Sequence, residues 1–115
     1  MYVSEQIVKM GILEKLSTNE QIIISKSPFI IGRVSEGIVP DYCLESKMVS
    51  RLHLKIYQRK CSEETIFEVC DEHSLNGTWV NGERIKNDET VQIKDGDELR
   101  IVNEKFIFHI VEEIR

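Results

Sequence analysis

At 115 residues the chain has room for one domain with its own core and too little for two. Hydrophobic residues make up 41% and charged residues 30%, an ordinary soluble balance, and the net charge of −5 argues against a general nucleic-acid binder, which needs clustered Lys and Arg. No apolar run approaches the length of a membrane span, and the start of the chain lacks a charged-then-apolar leader, so neither a membrane partner nor export is expected.

Taken in order, Gly11 to Leu16 and Gln21 to Ile24 are short apolar runs around the polar Ser17-Thr18-Asn19-Glu20, a strand–turn–strand pattern. Ile22, Ile23 and Ile24 are β-branched and favour extended backbone. After Ser27-Pro28, Phe29 to Ile31 reads as a buried strand, Gly32 to Pro40 as a loop, Asp41 to Leu44 as a short strand and Glu45 to Val49 as a second loop. Leu52, Leu54 and Ile56 alternate with His53, Lys55 and Tyr57, the period of a half-buried strand that places the three aliphatic residues on one face. Lys60 to Glu64 reads as a turn, and Thr65 to Cys70 as a strand with Phe67 and Val69 on one face. Thr78-Trp79-Val80 leads into Asn81-Gly82, a hairpin signal because both central turn residues take positive φ. Glu83 to Ile85, Thr90 to Ile93, Glu98 to Val102 and Phe106 to Val111 complete the strands, with turns at Lys94-Asp95-Gly96-Asp97 and Asn103-Glu104. No segment holds a helical period. Many short strands at close spacing predict an all-β, two-sheet sandwich, a single domain over 1–115 with its core at roughly 8–111.

Three motifs stand out in order: Gly32-Arg33 after Phe29-Ile30-Ile31, Ser50-Arg51-Leu52-His53, and Asn76-Gly77-Thr78-Trp79-Val80-Asn81-Gly82. Together, at these spacings, they resemble the forkhead-associated (FHA) domain, and the combination is far more specific than any of its parts. The resemblance covers nearly the whole chain. It implies a sandwich of two twisted sheets with recognition loops at one end, and binding of phosphothreonine in a partner protein.

The resemblance assigns roles residue by residue. Arg33 would contact the phosphate, a task suited to a guanidinium because its rigid fork of donors stays charged. Taken alone, a loop arginine is more often plain surface. Ser50 would donate its hydroxyl to a phosphate oxygen, and Arg51 would add donors from its backbone and its side chain. Asn76, with Leu75, would hold the peptide backbone. Leu75 beside it replaces the Thr or Ser often found there, which removes one side-chain contact. Lys47 and Met48 lie where residue preference three positions after the phosphothreonine is set, and an apolar or weak preference is expected. Gly32, His53, Gly77, Asn81 and Gly82 are read as structural. A tight turn would by itself explain Asn76-Gly77.

Ser50, His53 and Asp71 can be drawn as a hydrolase triad, but Ser50 lies only three positions before His53 and no nucleophile turn or oxyanion motif accompanies it. A structural histidine is expected. No catalytic residue, metal ligand or cofactor is assigned. The odd set Cys43, Cys61 and Cys70 shows no metal spacing and suits reduced, partly buried thiols in an intracellular protein, and a nuclear location is what the resemblance to checkpoint-type signalling domains implies. Two further readings differ in class. The chain could be the regulatory N-terminal domain of a DNA-damage or meiotic checkpoint-type protein kinase, although neither a Gly-rich phosphate loop nor a His-Arg-Asp loop occurs in it. It could instead be a structural sandwich without phosphopeptide binding. Self-association through a phosphorylated partner copy is a further expectation.

Overall fold

A computed structural model describes residues 6–115, so the opening residues 1–5 lie outside the description. Eleven strands are formed among the described residues: β1 (Ile7–Lys15), β2 (Gln21–Ile23), β3 (Phe29–Gly32), β4 (Tyr42–Cys43), β5 (Leu54–Cys61), β6 (Glu64–Asp71), β7 (Thr78–Val80), β8 (Glu83–Arg84), β9 (Thr90–Ile93), β10 (Glu98–Ile101) and β11 (Glu104–Ile114). They build one sheet in the order β2-β1-β11-β10-β7-β8 and a second in the order β4-β3-β5-β6-β9. All pairings are antiparallel except β3 with β4. This is the two-sheet, all-β sandwich the strand spacing predicts.

Alternation explains how the layers close. Leu13 on β1, Leu99 and Ile101 on β10, and Phe106 and Phe108 on β11 are fully buried, and they face Phe29, Ile31, Leu54, Ile56, Phe67 and Val69 from the other sheet. Burying side chains of this size contributes about 1.5–3 kcal/mol each before conformational entropy is counted. The rings of Phe67 and Phe108 meet edge-on at 5.1 Å across the sheets. They do so over Gly11, where a β-carbon would lie 2.8 Å from the Phe67 ring.

The turns follow local chemistry. Asn81 (φ 50°) and Gly82 (φ 82°) close the β7–β8 hairpin as the Asn-Gly signal predicts. The β5–β6 turn is tighter than expected, because pairing continues to Cys61 opposite Glu64 and leaves only Ser62 and Glu63. Likewise, Ile101 opposite Glu104 makes Val102 (φ 54°) and Asn103 the β10–β11 turn, so Val102 is not a strand residue. β1 begins at Ile7 and β11 runs to Ile114, both longer than their apolar patterns suggest, because nine residues of each pair in register. Cross-strand pairing holds them where burial does not.

One correction bears on the site. The alternation expected from Leu52 through Ile56 breaks at the start: β5 begins at Leu54, Leu52 is exposed, and His53 is fully buried. Cys61 is also exposed, whereas Cys43 and Cys70 are partly buried as expected.

Candidate functional site

The segments 33–41, 44–53 and 72–77 leave the second sheet near the Leu54–Asp71 end of the β5–β6 hairpin. Backbone bonds tie the first two: the Arg33 N–H donates to the Ser50 carbonyl at 3.1 Å, and Leu44 N–H to the Gly32 carbonyl at 2.9 Å. Gly32 permits this approach because a β-carbon there would stand 2.0 Å from the Arg51 carbonyl oxygen. The glycine of Gly-Arg therefore answers to packing against the second loop, with no left-handed backbone involved.

On that frame, Arg33 donates from Nε to the Val49 carbonyl at 3.0 Å. This holds one edge of the guanidinium and leaves its terminal N–H groups available. The Ser50 Oγ accepts from the Leu75 N–H at 3.1 Å. A hydroxyl that accepts through a lone pair keeps its proton to donate elsewhere. Arg33, Ser50 and Arg51 line one shallow hollow of roughly 370 Å³ together with Ile38 and Leu52.

His53 braces these loops from below. Its Nδ1 accepts from the Ser50 N–H at 3.1 Å, so Nε2 carries the proton and donates to the Gly77 carbonyl at 2.8 Å. Burial holds its pKa below the ordinary 6.5, against smaller upward pulls from the Gly77 carbonyl and the Asp71 carboxylate. Neither ring nitrogen faces the Ser50 hydroxyl. The triad geometry is absent, and the ring joins the second loop to the third.

Sequence reasoning missed a second brace. Asp71, 2% exposed, accepts the Ser74 N–H at 3.0 Å through Oδ2 and the hydroxyls of Ser74 and Thr78 at 2.6 Å each through Oδ1. Ser74 Oγ in turn accepts from the Gly77 N–H at 3.0 Å. These bonds set the loop so that Gly77 takes φ +87° and Asn76 reaches the second loop. The spacing Asp71-x-x-Ser74 is a turn-forming pattern that could have revealed the brace.

Asn76, half-buried, donates from Nδ2 to the Met48 carbonyl at 2.7 Å, which leaves its carbonyl oxygen and second N–H for a ligand. The Leu75 side chain is 84% exposed, and its contribution to the site is its backbone bond to Ser50. Lys47 and Met48 are exposed on the neighbouring loop. Asn81 and Gly82 take no part in the hollow: Asn81 Oδ1 accepts from the Glu98 N–H at 2.9 Å within the first sheet. Among the described residues, no group of three or more His, Cys, Asp or Glu side chains is placed to hold a metal ion.

Fold and rim together define a β-sandwich binding module whose loops present an arginine, a serine and an asparagine. The FHA domain family model matches residues 29–102, and the chain belongs to the FHA domain family. As a member of a family of binding modules it is a binding domain and not a catalyst. It is 32% identical over 88 residues to the probable serine/threonine-protein kinase fhkC of Dictyostelium discoideum, an alignment covering 76% of this chain and 14% of the kinase. Among solved structures, it is similar to Mycobacterium tuberculosis EmbR in complex with a low-affinity phosphopeptide, at 29% identity and TM-score 0.74, covering 87% of this chain and 24% of EmbR. It is also similar to the MEK1 FHA domain in complex with the HOP1 pThr318 peptide, at 27% identity and TM-score 0.74, over 87% of this chain and 95% of that one. The chain thus spans a small part of the kinase and of EmbR and nearly the whole of the isolated domain.

Proposed function

We propose that this domain binds phosphothreonine in partner proteins and recruits them to its parent protein. The observation that carries the reading is the convergence of Arg33, Ser50 and Arg51 on one hollow, beside an Asn76 tethered to Met48. A phosphothreonine brings roughly −1.5 to −2 charges and three acceptor oxygens to these donors. The phosphate oxygens accept from the free Arg33 N–H groups and from the Ser50 hydroxyl, and Asn76 holds the flanking peptide extended. An acidic domain can do this because the donors are fixed locally.

Affinity on the order of micromolar, about −8 kcal/mol, is expected for an extended peptide on a loop rim. Threonine is preferred over serine if its methyl is buried near Asn76, a contribution of about 0.8 kcal/mol. Exposed Met48 favours an apolar residue three positions after the phosphothreonine, with Lys47 beside it able to accept an acidic one. A phosphorylated second copy of the parent is a partner this chemistry would accept.

The finer setting we attach is regulation of a serine/threonine kinase in checkpoint-type nuclear signalling. Its support is the 32% identity to a probable kinase and the free thiols Cys43, Cys61 and Cys70, which suit a reducing compartment. Localising the tagged full-length protein and reading the sequence beyond Arg115 in the parent test that setting.

The binding claim is tested by titrating a phosphothreonine peptide library against wild type and Arg33→Ala. The variant should bind about 10- to 100-fold more weakly, since a hydrogen bond to a charged group contributes about 1.5–3 kcal/mol. Equal binding by both proteins, or equal competition by unphosphorylated peptides, refutes it.

A further inference from the structure

The strand register sets Arg84 opposite Trp79, Trp79 opposite Arg100, and Arg100 opposite Lys105, one continuous row across β8, β7, β10 and β11. The row lies on the outer face of the first sheet, since the neighbours Thr78, Val80, Leu99, Ile101 and Phe106 are buried. The two guanidinium groups flank the indole at 5.3 Å (Arg84) and 4.0 Å (Arg100) from its ring centroid. None of the three cations is among the ion pairs formed by the described residues. In a chain of net charge −5, two arginines on a tryptophan with a lysine next in the row, none of them ion-paired among the described residues, are a local concentration of positive charge.

Both arginines lean toward the recognition rim. Arg84 lies over Gly77, where a β-carbon would come within 2.6 Å of its Nε, and Arg100 donates from Nη1 to the Val102 carbonyl at 3.1 Å in the β10–β11 turn. The row therefore begins with Arg84 over the residue next to Asn76 and continues from the candidate site. The next row along the sheet, Glu98 opposite Ile107 opposite Glu14, carries the other sign and confines the positive strip to the rim side.

We propose that this strip is a second subsite, one that takes a run of acidic side chains in the same phosphothreonine partner. The proposal rests on the phosphothreonine reading above. Three inter-strand gaps span about 14 Å, the reach of about four residues of extended peptide. The indole separates the two guanidinium groups, so they do not converge on one point as a second phosphate would require. Dispersed cations match dispersed carboxylates, and arginine forks pair with them bidentately. The methylene stems and indole offer apolar surface between the charges.

The test is fluorescence anisotropy on a phosphothreonine peptide with neutral flanks and on the same peptide with four acidic residues placed before or after the phosphothreonine. Wild type should bind one acidic-flank peptide about tenfold more tightly at low salt, the gain shrinking as salt rises, as exposed ion pairs do. The variants R84Q and R100Q/K105Q should lose that gain, and R100Q/K105Q should bind the neutral-flank peptide like wild type. No gain on either flank, or a gain that both variants retain, overturns the subsite. A single-stranded oligodeoxynucleotide that binds wild type at least as tightly and is lost in R100Q/K105Q reassigns the strip to nucleic acid and also overturns it. If the neutral-flank peptide fails to bind wild type, the phosphothreonine reading itself falls and the subsite falls with it.

Discussion

The two ends of this sandwich are made of the same strands and held in different ways. At the rim, irregular segments are fixed by buried polar side chains: His53 between Ser50 and Gly77, and Asp71 among Ser74 and Thr78. At the far end, the β5–β6 hairpin closes on the two residues Ser62 and Glu63, and the Arg59–Glu68 pair beside it is exposed at the arginine. That end carries the larger hollow, roughly 770 Å³ between Ile7–Lys9 and Arg59–Thr65, against roughly 370 Å³ at the rim. Size misleads here. The rim hollow is small but lined by donors whose positions are over-determined from below, and such preorganisation favours binding more than volume does.

The sharpest way to break the contrast is Asp71→Ala. It leaves the hydroxyls of Ser74 and Thr78 and the Ser74 N–H without their shared acceptor, at a cost of about 3 kcal/mol or more. A Tm lowered by about 10 °C or more is expected in a thermal melt, with phosphopeptide affinity reduced as the loop bearing Asn76 loosens. A Tm within a degree or two of wild type would show that the brace is ornamental. Next comes Gly32→Ala, whose methyl must displace the Arg51 carbonyl. Overpacking of this kind costs about 1–3 kcal/mol, and isothermal titration should show weakened phosphopeptide binding because Ser50 and Arg51 shift.

A third effect depends on pH. Burial keeps the His53 pKa below 6.5, so as acidity rises the unfolded chain takes up its proton before the native ring does. Stability is thus full above pH 6.5 and declines as pH falls from there toward the native pKa. Protonated Nδ1 would also face the Ser50 N–H donor, opening the rim, while Asp71 and the Gly77 carbonyl oppose the decline. Urea midpoints measured between pH 7.5 and about 5 should fall in wild type and flatten in His53→Ala; an unchanged slope in that variant assigns the effect elsewhere. The smallest effect is at the far end. Arg59→Ala should leave both Tm and phosphopeptide affinity unresolved from wild type, because an exposed ion pair is screened by water.

Much of this was legible in the residues. Strand alternation at Phe67 and Val69 and the Asn81-Gly82 turn follow from local rules, since pleat period and left-handed turn preferences are properties of neighbours in the chain, whereas the three motifs are legible through their resemblance to the FHA family. The alternation that carries Leu52 inward and His53 outward fails because β5 begins only at Leu54. Just before it, hydrogen bonds from another loop outweigh hydrophobic preference and turn the imidazole inward.

What the sequence by itself determined is the sandwich, its main hairpins and the residues of the candidate site. Only the tertiary structure decided the rest: the carboxylate that gathers Ser74 and Thr78, the close approach that requires Gly32, and the row from Arg84 through Trp79 and Arg100 to Lys105. The physical reason is register. β7 and β10 are adjacent in the sheet although eighteen residues or more of chain separate their paired positions, and no local pattern states which side chains such long-range pairing will set side by side.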